Sequence, residues 1–91
     1  MAYSMWQLKN YLHMKLKLLF FGALTDVVSN QQYVIDAVET NVSALDASLK
    51  SKHPFLNNYK YKIAVNQQIV EGDHSLKDGD EVAFLPPFAG G

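Results

Sequence analysis

The chain's 91 residues are enough for one small domain with a modest core, and with 48% of them hydrophobic it does not have the composition of a disordered protein. Net charge is −1 and all eight basic residues are lysine, which argues against the basic stripe and base-reading guanidiniums of a nucleic-acid binder. No apolar run approaches the roughly 18 residues of a membrane span, and with no cysteine there are no disulfides, thiolate metal sites or cysteine nucleophiles.

Residues 1–13 lack the charged and apolar regions of a signal peptide, so the expected location is the cytoplasm. Met5, Leu8, Tyr11 and Leu12 stand near helical spacing behind Ser4, a residue suited to capping. The segment reads either as a short amphipathic helix or as an extension upstream of a second start at Met14.

The domain proper begins with K-L-K-L-L-F-F-G. Leu16, Leu18 and Phe20 alternate with Lys15, Lys17 and Leu19, which predicts a strand. Its second face turns apolar at Leu19 and Phe21, as expected of a central strand or of a surface covered by a partner. Q-Y-V-I-D-A-V-E predicts a second strand. Asn41 is a good N-cap for V-S-A-L-D-A-S-L-K-S-K, a helix with Val42, Leu45 and Leu49 on one face and Lys50 and Lys52 in its last turn. His53-Pro54 ends it. Y-K-Y-K-I-A-V-N predicts a third strand with Tyr61, Ile63 and Val65 inward and Lys60 and Lys62 outward. Gln67 to Val70 form a turn and an edge piece. Asp78-Gly79 then sets a tight turn before a last strand, in which Val82 and Phe84 face the core.

Strand, strand, helix, strand, short strand, strand is an α+β order. The ubiquitin-like β-grasp is the compact solution at this length, a mixed sheet with one main helix packed across it. Its first and last strands lie parallel in the middle, in keeping with their apolar character here. The expected divisions are an extension at 1–13, a β-grasp domain at 14–85 and an extended tail at 86–91.

No self-sufficient catalytic constellation is visible. His13, His53 and His74 are far apart in sequence. D-H-S-L-K-D-G-D-E fails as a calcium loop, because its sixth position is Asp78 where glycine is required. Glu71, Asp73, Asp78, Asp80 and Glu81 form an acidic cluster, read either as solvated turns or as a docking patch for a basic surface.

What remains is the end, F-L-P-P-F-A-G-G. Pro86 and Pro87 hold the chain extended, Phe88 supplies one apolar anchor, and Ala89, Gly90 and Gly91 are the slimmest residues available. Six residues past the strand can reach about 20 Å. Such a probe can carry a terminal carboxylate through a narrow channel into another protein's active site. With a reference pKa of about 3.5, the carboxylate is ionised at neutral pH and can attack ATP to form an acyl-adenylate. The phosphate-binding groups must belong to the partner.

K-L-K-L-L-F-F-G-A at 15–23, V-N-Q at 65–67 and L-K-D-G-D-E-V-A-F-L-P-P-F-A-G-G at 76–91 resemble the small subunit of molybdopterin synthase, the MoaD-type sulfur carrier. The resemblance covers residues 14–91. It implies that a MoeB-type adenylating enzyme activates the Gly91 carboxylate with ATP, that a persulfide donor converts it to a thiocarboxylate, and that the loaded tail enters the large, MoaE-type subunit. There it gives sulfur to cyclic pyranopterin monophosphate, within a heterotetramer. No cofactor is bound and the carrier has no active site of its own. By position, Gly91 is the reacting end and Gly90 the slim residue behind it, with Ala89, Phe88, Pro87 and Pro86 in the channel. Phe21, Phe84 and Leu85 are either an apolar contact face or ordinary core. A ubiquitin-like protein modifier uses the same adenylate, and a carrier for another pathway, such as thiamine biosynthesis, is a variant of the first reading.

Overall fold

The computed structural model describes residues 14–25 and 32–87. β1 is Met14–Phe20, β2 Gln32–Ala37, α1 Val42–Lys52, β3 Lys62–Val65, β4 Gln68–Val70 and β5 Glu81–Leu85, with a 3-10 turn at Pro54–Asn58. The helix read from Met5, Leu8, Tyr11 and Leu12 lies outside the described residues.

The five strands form one mixed sheet in the order β2-β1-β5-β3-β4. β1 and β5 run parallel and pair Leu18 with Val82 and Phe20 with Phe84. The other neighbours are antiparallel. This is the expected β-grasp. The apolar second face of β1 belongs to a strand flanked on both sides by others.

Alternation decides which side chains go inside. Leu16, Leu18 and Phe20 of β1 and Val82 and Phe84 of β5 point to one face and are buried. α1 covers that face with Val42, Leu45 and Leu49, all buried as its spacing predicts. Asn41 starts the helix: its Oδ1 accepts the amide of Ala44 at 2.8 Å. At the other end the amide of His53 donates to the Leu49 carbonyl at 2.8 Å, and Pro54 opens the 3-10 turn. That turn brings Leu56 into the core, where it is fully buried beside Leu24 and Leu76. The third strand is shorter than its sequence pattern, beginning at Lys62.

Among the described residues, no helix covers the opposite face. Register places Leu19, Ala83, Ala64 and Ile69 in one row across β1, β5, β3 and β4. Ion pairs Lys15–Asp36 and Lys17–Glu81 lie on the side of that row away from the chain end.

Candidate functional site: the base of the tail

β5 delivers the chain end from inside the sheet, with β1 on one side and β3 on the other. The amide of Phe21 donates to the Phe84 carbonyl at 3.3 Å, extending the β1–β5 contact to the point where the chain leaves. Pro86 then lies over Gly22. A Cβ added to Gly22 would fall 2.8 Å from the proline Cγ, and Gly22 has φ +60°. A bare α-carbon in the left-handed region therefore seats the first residue of the tail.

Beside this seat is a groove of about 410 Å³, lined by Lys60, Tyr61, Lys62, Ile69, Leu85, Pro86 and Pro87. Leu85 and Lys62 are register partners across β5 and β3. Ile69 is 53% exposed and Phe21 46%. Phe21, Leu85 and Ile69 thus offer apolar surface around the exit of the chain.

Phe84 does not. It is fully buried, with its ring stacked on Phe20 at 4.8 Å and meeting Tyr61 edge-on at 5.7 Å. Of the three residues read as contact face or core, Phe84 is core, because alternation in β5 points it under α1 while Leu85 points to the open face. Ile69 was missed. Its signal was the apolar pair Ile69-Val70 in a three-residue edge strand: Val70 packs against the core, so alternation leaves Ile69 exposed on the other face. Phe88, Ala89, Gly90 and Gly91 lie outside the described residues.

Several polar groups outside the groove hold the fold. Asp78 accepts the amide of Lys15 at 2.7 Å, and Asp80 accepts the amide of Lys77 and the side-chain amide of Asn66, both at 2.8 Å. Glu81 pairs with Lys17. Much of the acidic cluster is therefore turn chemistry at the end of the sheet opposite the tail. Tyr61 donates to Asp46, which also holds Lys50 at 3.2 Å. Burial, then that hydrogen bond and the adjacent carboxylate, push the Tyr61 hydroxyl above the usual tyrosine range. Among the described residues, no three histidines or carboxylates gather as a metal site. His53 closes α1, and the carbonyl of His74 accepts the amide of Val42 at its start. No helix among the described residues is long and apolar enough to cross a membrane.

The geometry is that of a platform that presents a chain end. The molybdopterin synthase sulfur carrier subunit of Escherichia coli (strain K12) is 38% identical over 80 residues, covering 84% of this chain and 99% of that one. A solved chain from Pyrococcus furiosus matches with a TM-score of 0.75 at 26% identity, covering 82% of this chain and 99% of that one. A structure from Helicobacter pylori 26695, a complex of subunits 1 and 2 of molybdopterin-converting factor, matches with a TM-score of 0.63 at 28% identity, covering 86% of this chain and 100% of that one. Residues 18–91, which run from Leu18 in β1 to the C-terminal Gly91, match the ThiS family, and the chain is a member of it.

Proposed function

We propose that this chain is the sulfur carrier subunit of a molybdopterin synthase. The supporting observation is a match spanning 99% of a known carrier, in a chain whose sequence ends in Gly-Gly and whose last strand runs out, through Leu85, Pro86 and Pro87, beside an apolar groove. The Gly91 carboxylate attacks the α-phosphate of ATP in an adenylating enzyme, giving an acyl-adenylate and pyrophosphate. A persulfide displaces AMP, and a thiol of the donor system cleaves the resulting acyl disulfide to leave a thiocarboxylate. The loaded tail enters the large subunit and passes its sulfur to cyclic pyranopterin monophosphate.

This chain supplies placement and a slim approach. Pro86 and Pro87 direct the tail outward, and Gly90 and Gly91 let channel walls close on bare backbone. Phe21 and Leu85, joined by Ile69, form the apolar contact with the large subunit. Activation with ATP is the work of the partner enzyme in this reading.

Intact mass is the test. The purified chain is incubated with ATP, the adenylating enzyme of the same organism and a sulfide source. A gain equal to the exchange of one oxygen for sulfur, lost on deleting Gly90 and Gly91, is expected. Adding the large subunit and precursor should then yield molybdopterin. No gain, with the chain found attached to lysines of other proteins, would instead make it a protein modifier.

A further inference from the structure

The groove beside the tail has an apolar floor and a cationic rim. Leu85, Ile69, Pro86 and Pro87 provide the apolar lining, and Lys60 and Lys62 provide the charge. No acidic residue among the described residues lines it. Three lysines outside the groove are ion-paired, Lys15 with Asp36, Lys17 with Glu81 and Lys50 with Asp46, while Lys52 and Lys77 are exposed and line no part of the groove. Lys60 and Lys62 have no ion-pair partner among the described residues, and both are exposed. Asp46, the acid held by the groove residue Tyr61, is already engaged by Lys50.

We infer that this groove docks an extended segment of the large subunit that carries a carboxylate next to an apolar side chain. The inference rests on the carrier reading and adds the chemistry of the partner. Any protein that takes in the tail must close over its base, so the groove is continuous with that contact. Its occupant must satisfy both floor and rim. Lys62 stands directly opposite Leu85 in register, so cation and apolar anchor are neighbours on one face. A partner segment matching them needs its acid within one or two residues of its apolar side chain. Unmatched, the two ammonium groups would lose water without compensation, and a basic or purely apolar surface would be rejected. Lys60 and Lys62 thus act as specificity-determining residues, favouring encounter with an acidic partner surface.

The experiment measures affinity of the large subunit of the same organism for three full-length carriers: wild type, Lys60→Gln with Lys62→Gln, and Lys60→Glu with Lys62→Glu. Each is measured at about 0.05 M and about 0.5 M salt, where screening is weak and strong. Thermal unfolding of each variant checks the fold, and exposed lysines should leave it unchanged. The expected result is a Kd about tenfold weaker for charge reversal at low salt, a smaller loss for the glutamines, and convergence with wild type at high salt. Wild type that loads sulfur and binds the large subunit, with unchanged affinity in both variants, would overturn this inference alone. Wild type that neither loads nor binds would overturn the carrier reading and this one with it.

Discussion

Pro86 rests on the α-carbon of Gly22, with room for no Cβ between them: one built there falls 2.8 Å from the proline Cγ. The end of β1 thereby sets the direction in which the tail departs. Gly22→Val should disturb both backbone and seat. A β-branched residue at φ +60° is an outlier that costs roughly 1–2 kcal/mol, or several degrees of Tm. The displaced Pro86 should slow loading and transfer further, since misplacement of about 1 Å can cost about a hundredfold. Thermal unfolding and single-turnover thiocarboxylation, compared below the variant's Tm, separate the two effects. A lower Tm with unchanged turnover would reduce Gly22 to a folding residue.

Phe84 and Phe21 lie one strand apart and should respond oppositely to truncation. Phe84 is fully buried between Phe20 and Tyr61. Phe84→Ala should cost about 3–5 kcal/mol, a large share of what a small domain has. Phe21 is 46% exposed, so Phe21→Ala should move stability by less than about 1 kcal/mol. Its loss should appear in affinity for the large subunit, at over ~2 kcal/mol. Urea unfolding and titration of the two variants with the large subunit check both halves. Equal effects on stability would place Phe21 in the core.

Much of this arrangement is legible in the chain, because local patterns carry it. Lys15 and Lys17 mark the open side of β1, Asn41 marks the start of α1, and the doubly apolar character of β1 marks an inner position. What escaped depends on pairing between distant residues. Nothing near Lys62 in sequence says that Leu85 will lie opposite it, so the groove could not be read. Leu56 and Leu76 are buried through a 3-10 turn and a loop, where there is no period to follow. Phe84 and Leu85 are adjacent in sequence and both apolar. Alternation with Val82 turns Phe84 inward, as the strand's pattern predicts, and leaves Leu85 on the other face.

Alkaline pH should weaken the domain through Tyr61. Burial first, and then the bond to Asp46, raise its pKa in the folded state. In the unfolded chain a tyrosine loses its proton near pH 10. Above that pH the unfolded state holds fewer protons than the folded one, so stability falls as pH rises. The contribution is complete below about pH 10 and is lost as pH climbs toward the folded-state value. Tyr61→Phe should cost about 1 kcal/mol at neutral pH, since Asp46 keeps Lys50. The gap between wild type and variant should narrow above about pH 10. Urea midpoints across that range decide it, and a constant gap would mean that Tyr61 ionises alike in both states.

The turn between β3 and β4 offers a stabilising change. Val65 pairs with Gln68, leaving a two-residue turn in which Asn66 has φ 50° and Gln67 φ 71°. Two positive φ values are the demand of a type I′ hairpin, best met by Asn-Gly. Asn66 suits its place twice over. Its Oδ1 accepts the amide of Glu81 at 3.0 Å, and its side-chain amide donates to Asp80 at 2.8 Å. Gln67 contributes no such bond and bears the left-handed penalty of roughly 1–2 kcal/mol, against about 0.5–1 kcal/mol for the extra freedom a glycine loses. Gln67→Gly should therefore gain about 0.5–1 kcal/mol and raise Tm by a few degrees. Asn66→Gly should lose stability instead, because the Glu81 amide loses its side-chain acceptor and Asp80 loses one of its two donors. Thermal scans of the two variants beside wild type test the sign of each. A drop in both would mean that the Gln67 side chain, and not only its backbone, holds the hairpin.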